Sequence, residues 1–372
     1  MSSRILVTGG AGFIGSHIVD QLLARGYDVR VYDSLVPQVH GTAGARNLAA
    51  DAELVVGDVR NRSALKQALR GADAVIHLAA EVGVGQSMYE IDRYVDTNTR
   101  GTAVLLQLLA EGGTDVSRLI VASSMSIYGE GAYRCDEHGT LSPRPRSDAA
   151  LLARQWEARC PVCDAEVRPV PTAENKPLIP TSVYAVSKMD QEMLSLTVGG
   201  AYGIGAVALR IFNTYGPRQS LSNPYTGIGA IFSARLLNDR PPLVFEDGQQ
   251  LRDFVHVSDV ARAFVTALEK TEVTGVACNV GTGSPLSVTD IARYLAVALG
   301  KNVPPEITGD FRAGDIRHCW ADTAAARRDL GFRAEVSFAD GVNDLVGWLA
   351  EHTADDRVDE ARAELLAHGL TG

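Results

Sequence analysis

Short apolar runs alternate with helix-length segments through the first half of the chain. The runs ILVTGG, DVRVYD, ELVVGDV, AVIHLAA and RLIVASS are mostly continuous, not alternating, in apolar character. Between them lie SHIVDQLLARG, SALKQALRG and residues 94–111, which have the length and apolar spacing of helices. Apolar strands separated by helices predict a parallel sheet that is covered by helices on both faces. Such a sheet binds ligands beyond the carboxyl ends of its strands.

The alternation stops in residues 130–181, which we predict to be an irregular insertion. Its prolines are Pro143, Pro145, Pro161, Pro169, Pro171, Pro177 and Pro180. After it, the pattern predicts a helix from Ser182 to about Thr197 and a strand at VALRIFN. Further on, the strands LVFE, DFVHV and ACNVG alternate with the helices VSDVARAFVTALEK and VTDIARYLAVALG. The end of the chain has the pattern of an amphipathic helix with no chemistry of its own.

Composition narrows the class of protein. The 372 residues include 35 basic and 45 acidic side chains, which give a formal charge of −10. This charge argues against nucleic acid as a partner, because binding it requires clustered Lys and Arg. No apolar stretch approaches the roughly 18 residues of a membrane span, and the opening segment is too short and too glycine-rich for a signal peptide. With five cysteines, an odd number, we expect reduced thiols and a cytoplasmic protein.

A glycine-rich motif indicates dinucleotide binding. Gly10-Ala11-Gly12-Phe13-Ile14-Gly15 fits G-x-G-x-x-G, follows the first predicted strand and opens a helix. Glycines there permit a tight turn and let a pyrophosphate approach the helix N-terminus. Asp33 ends the next strand, where its carboxylate would accept hydrogen bonds from a ribose and repel a 2′-phosphate. We therefore expect NAD rather than NADP. Asp58 and Val59 end a third predicted strand, where they either contact the adenine edge or have no contact with the cofactor.

Tyr184 and Lys188 form the candidate catalytic pair. They are four residues apart and therefore share one helix face. A nearby ammonium favours the phenolate, so the pair would act as a base at neutral pH. Ser124 follows a predicted strand within SSMSIYG, where its hydroxyl could relay the proton. The alternatives are two helix-surface residues and an ordinary serine turn.

Many ordered motifs extend this picture over residues 4–350. They are TGGAGFIG with Asp33, GDV, HLAA, TNTRGT, SSMSIYG, YAVSK, RIFNTYGPR, RDFVHVSD, NVGTG and RAGDIR. The chain resembles the extended short-chain dehydrogenase/reductases of the nucleotide-sugar epimerase and dehydratase family. The resemblance implies an α/β fold, a Rossmann-type doubly wound parallel sheet with a smaller C-terminal α/β substrate domain. We expect an NAD-binding domain of residues 1–211 and 253–275, a nucleotide-sugar domain of 212–252 and 276–350, and a C-terminal helix in 351–372.

The resemblance also assigns residues. It implies a catalytic triad of Ser124, Tyr184 and Lys188, the last two of which also contact the cofactor. The implied NAD contacts are Gly9, Gly12, Phe13, Ile14, Gly15, Asp33, Asp58, Val59, Leu78, Ala79, Ala80 and Asn98. The implied substrate contacts are Ser124, Ser126, Asn213, Asn223, Arg252 and Arg312, with the two arginines gripping the diphosphate. The family's 4,6-dehydratases carry Asp-Glu directly after the catalytic hydroxyl residue, where this chain has Met125 and Ser126, so dehydration is disfavoured.

Three phrases most resemble the subgroup that contains thymidine-diphosphate L-rhamnose 4-epimerases: VGVGQSMYEIDRYVDTN, SLSNPYTGIGAIFSARLLN and RPPLVFEDGQQLRDFVHV. UDP-hexose and UDP-uronic acid 4-epimerases share most of these positions. The resemblance implies a homodimer formed through helices near 101–110 and 187–197. We expect an NAD-dependent nucleotide-sugar 4-epimerase. The alternatives are a dehydrogenase, decarboxylase or 4,6-dehydratase of the same family and, more remotely, a non-catalytic NAD-binding regulator.

The insertion carries a candidate metal site. Cys135 and His138 form one C-x-x-H pair, and Cys160 and Cys163 form a C-x-x-C pair. Two short-spaced pairs joined by a loop have the ligand spacing of a structural zinc site. The alternative is a set of free cysteines on a proline-rich loop. A closed site with four ligands would hold the insertion together without taking part in catalysis.

Overall fold

The computed structural model describes residues 3–41, 44–221, 223, 225, 227–312, 314–351 and 356–371. The strands are β1 (Arg4–Thr8), β2 (Asp28–Asp33), β3 (Glu53–Val56), β4 (Ala74–His77), β5 (Arg118–Ser124), β6 (Ala132–Cys135), β7 (Gly139–Leu141), β8 (Arg168–Val170), β9 (Gly205–Ile211), β10 (Asn213–Tyr215), β11 (Leu243–Val244), β12 (Leu251–His256), β13 (Val276–Val280), β14 (Pro285–Ser287), β15 (Glu306–Ile307) and β16 (His318–Cys319). The α-helices are α1 (Phe13–Ala24), α2 (Pro37–His40), α3 (Arg62–Ala68), α4 (Val84–Ser87), α5 (Ile91–Tyr94), α6 (Gly101–Ala110), α7 (Asp148–Leu152), α8 (Val183–Tyr202), α9 (Ile228–Leu237), α10 (Val257–Glu269), α11 (Val288–Ala298), α12 (Phe338–Leu349) and α13 (Val358–Ala367). Short 3₁₀ or π segments lie at Val95–Arg100, Met125–Tyr128 and Ala326–Leu330.

The main sheet has seven strands in the order β13–β9–β5–β4–β1–β2–β3. Every pairing in it is parallel, so the predicted doubly wound sheet is confirmed. Successive side chains of β1 point to opposite faces: Ile5 and Val7 pack with α1 and α10, whereas Leu6 packs with α3 and α6. Burying one such side chain stabilises the fold by roughly 1.5–3 kcal/mol. The strand order reverses between β1 and β4, which opens the crevice where such sheets bind ligands.

A second, smaller region carries short sheets that pack against α9, α11 and α12. β12 pairs with β10, β14 and β16, and β11 pairs with β15. Two strands lie on the other side of the expected domain division. β13 belongs to the main sheet although residues 276–280 were expected in the substrate domain. Residues 253–256 of β12 belong to the smaller sheet because β12 pairs with β10 and not with β9.

The insertion is more regular than the sequence suggests. β6 pairs with β7 and β8 into a three-stranded antiparallel sheet, and α7 lies in the chain between β7 and β8. The expectation of irregular structure is therefore wrong for these segments, whose strands of three or four residues are too short to show a period.

The insertion is joined to the smaller region through a buried arginine. Glu157 accepts hydrogen bonds from Nε and Nη2 of Arg317 at 2.9 and 2.6 Å. Glu246 and Asp247 accept from Nη1 of the same guanidinium at 3.0 and 2.6 Å. Arg317 is 1% exposed, so these carboxylates compensate a charge that would be costly to bury alone.

The last helix, α13, lies within the expected C-terminal segment, of which residues 352–355 and 372 are outside the described residues. Within the described part of the chain, no helix has the length and apolar character needed to cross a bilayer.

Candidate active site

The glycine-rich turn between β1 and α1 has a backbone that side chains would not allow. Gly9 has a φ of +71°, and a Cβ on it would lie 2.9 Å from the nitrogen of Ala79. A Cβ on Gly15 would lie 2.3 Å from the carbonyl oxygen of Gly9. Gly12 caps α1 without a side chain, so the first-turn N–H groups remain available to an anion. Gly12 and Phe13 face a cleft of about 700 Å³, named here the turn cleft.

Asp33 braces this turn. Its Oδ2 accepts a hydrogen bond from the nitrogen of Ala11 at 3.0 Å, and its Oδ1 accepts from the nitrogen of Leu35 at 2.9 Å. A ribose contact of Asp33 stays a prediction. The structure also brings His40 and Arg46 to the wall of the turn cleft, although the sequence showed no basic residue directly after Asp33. The distance of Arg46 from the motif along the chain concealed this neighbour.

Asp58 and Asn98, both expected at the cofactor, are engaged by the protein itself. Arg60 donates to Asp58 Oδ1 from its backbone nitrogen at 2.8 Å and from Nε at 2.9 Å, which lowers the pKa of that carboxyl. Asn98 accepts from the nitrogen of Glu81 at 2.7 Å and donates to the Ser187 hydroxyl at 2.9 Å. Asn98 thus holds the backbone at Glu81, directly after the HLAA segment that ends β4. Leu78, Ala79 and Ala80 of that segment were expected to contact the cofactor. Val59 packs close to Gly101. Direct cofactor contacts of all these residues stay predictions.

Tyr184 and Lys188 share one face of α8, as their spacing predicts. The helix begins after Ser182, whose hydroxyl accepts from the nitrogen of Ala185 at 3.1 Å, and ends at Gly203 in the left-handed conformation. The nitrogen of Tyr184 donates to the Ser87 hydroxyl at 3.0 Å, which joins α8 to α4. Tyr184 lines a second cavity, of about 370 Å³, named here the tyrosine cavity.

The electrostatics of the pair differ from the expectation. Burial raises the pKa of Tyr184, and its hydrogen bond with Ser124 opposes the rise. Burial lowers the pKa of Lys188 to about 7, while Glu192 opposes that fall. The pKa of Tyr184 is therefore raised, not lowered as expected, because burial is the largest influence on it. Ser124 is the group that favours the phenolate.

Gln191 is a site residue that the sequence analysis missed. Lys188 Nζ donates to Gln191 Oε1 at 2.6 Å. The amide nitrogen of Gln191 donates to the Thr102 hydroxyl at 2.8 Å and to the Ala79 carbonyl oxygen at 3.3 Å. Gln191 lies three residues after Lys188 on the same helix face, and that spacing is the signal that could have revealed it. It orients the ammonium of Lys188.

The tyrosine cavity gathers five of the six expected substrate residues: Ser124, Ser126, Asn213, Arg252 and Arg312. The hydroxyl of Ser126 donates to that of Ser124 at 2.9 Å. The Oδ1 of Asn213 is buried and accepts no hydrogen bond from any residue that the structure describes. An unpartnered buried acceptor beside a cavity suits a ligand hydroxyl.

Asn223, the sixth, lies elsewhere. It lines the turn cleft and accepts from the nitrogen of Tyr225 at 3.1 Å. It is thus apart from the other five, and its expected contact with the substrate diphosphate stays a prediction.

The two arginines are held in place before any ligand arrives. Arg252 donates to the carbonyl oxygens of Ile316 and Arg317 at 2.6 and 2.9 Å. Arg312 pairs with Asp315 at 2.7 Å and stacks over the ring of Phe245 at 4.6 Å. Oriented guanidinium groups of this kind suit the paired oxygens of a diphosphate.

Carboxylates are scarce in this cavity. Among its described lining residues, Asp315 is the only Asp or Glu, and it is paired with Arg312. Met125 and Ser126 occupy the wall beside Ser124. The cavity therefore offers hydroxyl, phenol and guanidinium groups near Tyr184 but no free carboxyl group among the described residues.

The four expected metal ligands converge in the insertion. The Cys135 sulfur lies 3.7 Å from that of Cys163 and 3.5 Å from Nδ1 of His138. The Cys160 sulfur lies 3.6 Å from the same Nδ1, and all four ligand atoms lie within 4.8 Å of one another. A tetrahedral zinc site with Zn–S of about 2.3 Å and Zn–N of about 2.0 Å places sulfurs about 3.8 Å apart and sulfur about 3.5 Å from nitrogen. The observed spacing fits.

Comparison with known families covers most of the chain. Residues 5–150 match the NAD dependent epimerase/dehydratase family, and residues 166–345 match the GDP-mannose 4,6 dehydratase family. The chain is 37% identical to the dTDP-L-rhamnose 4-epimerase of Burkholderia thailandensis over 353 residues, which cover 94% of this chain and 95% of that protein.

Two solved structures are similar over the same length. The UDP-glucose 4-epimerase of Thermotoga maritima with UDP-glucose has a TM-score of 0.75 at 30% identity, covering 94% of this chain and 99% of that one. The UDP-glucuronic acid 4-epimerase of Bacillus cereus with UDP-glucuronic acid and NAD has a TM-score of 0.77 at 28% identity, with the same coverage.

Proposed function

Because the chain belongs to the NAD-dependent epimerase/dehydratase family, we propose that it is an NAD-dependent 4-epimerase of nucleotide-diphosphate sugars. The sugar is oxidised at carbon 4, the 4-keto sugar rotates in the cavity, and carbon 4 is reduced from its other face. One observation carries the choice of epimerase over dehydratase. Ser124 and Tyr184 line a cavity in which Asp315, paired with Arg312, is the only Asp or Glu among the described lining residues.

Each residue has a stated task in this scheme. Tyr184 takes the proton of the 4-hydroxyl group and later returns it, so no proton is consumed overall. Ser124 donates to the phenolate oxygen and stabilises its charge. Gln191 orients Nζ of Lys188, which lies on the same helix face as Tyr184. Arg252 and Arg312 hold the diphosphate while the sugar turns about it.

The turn cleft fits NAD. When bound, NAD accepts a hydride from carbon 4 and gives it back. The first turn of α1 would bind the pyrophosphate, because Gly9 and Gly15 leave room for a close approach of the backbone. Asp33 lies at the end of β2, where its charge disfavours a 2′-phosphate, although Arg46 reduces that preference. Relatives whose structures contain NAD support this assignment.

The substrate that we propose is a thymidine-diphosphate 6-deoxyhexose. The similarity to a dTDP-L-rhamnose 4-epimerase supports this choice over UDP-hexoses and UDP-uronic acids. The apolar side chains at the reacting end of the cavity, Val82, Val84 and Met88, also suit a methyl group at carbon 5 better than a carboxylate.

Transfer of a label distinguishes the proposed reaction from its alternatives. Incubated with substrate deuterated at carbon 4 and no added NAD, the protein is expected to give the 4-epimer with deuterium still at carbon 4. Both hydride transfers are then internal. A dehydratase would release water and lower the mass of the product. A dehydrogenase would need stoichiometric NAD. Loss of the label, or a product of another mass, would contradict the epimerase.

We further propose that Cys135, His138, Cys160 and Cys163 bind one structural zinc ion. The distances given above support it, as does the small size of the apolar cluster around Tyr133, which gives the insertion little core of its own. Cys163 is exposed, so replacing it tests metal binding without removing a packed side chain.

The purified chain is expected to contain about one zinc ion per molecule. Cys163→Ser should reduce that content several-fold and lower the melting temperature, because three ligands bind zinc less tightly. Cys278→Ala, which removes a cysteine of the main core, should leave the zinc content unchanged. Elemental analysis by mass spectrometry makes the measurement. Absence of zinc from native protein prepared without chelators would contradict the site.

A homodimer and a cytoplasmic location stay proposals. Val186 and Met193 are large apolar side chains exposed on α8, at 41% and 52%, and support a contact between chains through that helix. Sedimentation equilibrium should give twice the mass of one chain, and a monomer at micromolar concentration would contradict it. A reducing compartment is consistent with zinc binding, which requires free thiolates.

A further inference from the structure

The C-terminal helix α13 forms a wall of the active site, although its sequence shows no catalytic motif. Ala361 lines both the turn cleft and the tyrosine cavity. Leu365 and, after the helix, Leu370 also line the tyrosine cavity. α13 therefore lies between the proposed cofactor and substrate sites, where its side chains can contact a bound sugar.

This wall is fixed to both halves of the molecule. Asp359 accepts from Nη1 of Arg235 in α9 at 3.0 Å. On the other side, Glu364 accepts from the Tyr89 hydroxyl at 2.8 Å, close after α4. These two anchors, five residues apart along α13, hold the helix against the cavity.

Leu365 lies at the reacting end of the cavity, not at the diphosphate end. A Cβ on Gly85 would lie 3.1 Å from its Cδ2, so the leucine packs against the backbone of α4. Ser87, also in α4, accepts a hydrogen bond from the backbone nitrogen of Tyr184. Helix α4 thus contacts both Leu365 and Tyr184, the residue that takes the proton of the 4-hydroxyl group in the proposed scheme. Leu365 is only 8% exposed.

We propose that Leu365 is a specificity-determining residue, which with Val84 and Met88 forms an apolar contact for the carbon 5 substituent of the sugar. This inference rests on the proposed function. Burying a methyl group in such a contact favours binding, whereas a hydroxymethyl group would bury a hydroxyl without a hydrogen-bond partner. The chain therefore prefers 6-deoxyhexoses to hexoses with a 6-hydroxyl group, and excludes hexuronic acids more strongly.

The test compares kcat/KM for a thymidine-diphosphate 6-deoxyhexose and for the matching hexose with a 6-hydroxyl group. Wild-type protein should favour the former by roughly 10- to 100-fold. Leu365→Asn supplies a partner for the hydroxyl and should reduce this ratio about tenfold. Leu366→Asn is the matched control, because Leu366 is the next residue of α13, is 54% exposed, and should leave the ratio unchanged.

A second variant and a binding measurement keep the outcomes separate. If Leu365→Asn does not fold, Leu365→Ala enlarges the cavity and should likewise reduce the ratio. An unchanged ratio in a folded Leu365 variant, or a wild-type ratio near one, overturns the inference. If the wild-type chain epimerises neither sugar, the proposed function fails. Calorimetric affinities for the two nucleotide sugars then still decide the role of Leu365.

Discussion

Replacing Tyr184 by Phe is expected to lower kcat for 4-epimerisation by roughly 10²- to 10⁴-fold. The change removes one oxygen, the only atom of Tyr184 that exchanges a proton with the sugar in the proposed scheme. Ser124 cannot replace it, because an aliphatic hydroxyl is far less acidic than a phenol and is not available in its deprotonated form at neutral pH. The affinity for NAD should stay within a few-fold of wild type, since the turn cleft is built from other residues. Turnover assays and titration of NAD make the two measurements.

Tyr94→Phe is the matched control. The two rings lie 6.5 Å apart in an edge-to-face arrangement, and the Tyr94 hydroxyl donates to Gln86 instead of facing the sugar. The Tyr94→Phe variant also loses one phenol oxygen, but from a ring that does not exchange a proton with the sugar. Its kcat should therefore stay within a few-fold of wild type. Equal activity of wild type and Tyr184→Phe would remove Tyr184 from the mechanism.

Replacing Lys188 by Met is expected to abolish most activity and yet stabilise the cofactor-free fold at pH 7. Burial lowers the pKa of Lys188 from 10.5 to about 7. That shift corresponds to a destabilisation on the order of 5 kcal/mol when the unfolded lysine is charged. Methionine leaves Gln191 Oε1 without its donor, which costs roughly 1–3 kcal/mol. The first effect is larger, so the free energy of unfolding should rise by roughly 2–4 kcal/mol.

The pH dependence checks the cause. Between pH 7 and 10.5 the unfolded chain binds more protons at Lys188 than the folded chain does, so its contribution to stability rises with pH across that window. Urea unfolding at pH 7 and 9.5 should show this rise in wild type and a smaller one in Lys188→Met. Lys66→Met, at an exposed position of α3, should follow wild type within about 0.5 kcal/mol. Destabilisation by Lys188→Met at pH 7 would contradict the stated balance.

Local patterns in the sequence were enough to predict the main sheet and the core of the site. β1 to β5 are apolar runs separated by helix-length segments. Tyr184 and Lys188 share a helix face because four residues separate them, whatever the helix packs against. What depends on distant packing was not predictable. The spacing of Gln191 from Lys188 places it on the same helix face, but its contacts with Thr102 and Ala79 depend on how α8 packs. Leu365 lies far along the chain from every motif, and its helix shows only an amphipathic pattern.

The errors have a physical reason too. The tyrosine pKa was reasoned from a neighbouring charge, whereas burial, which the sequence does not give, is the larger effect. Strand β13 was assigned by its position along the chain, but it pairs with β9 across a long connection. Asn223 was placed by motif alone, and it lines the turn cleft instead of the tyrosine cavity.

The buried arginine that joins the insertion to the smaller region has a consequence for related sequences. A guanidinium at position 317 with Glu157 absent would keep its charge but lose the acceptor of its Nε proton. Homologues that lack the segment around Glu157 are therefore expected to carry a neutral or smaller side chain at 317. In an alignment of homologues, sequences that lack the segment around Glu157 should therefore also lack the arginine at position 317.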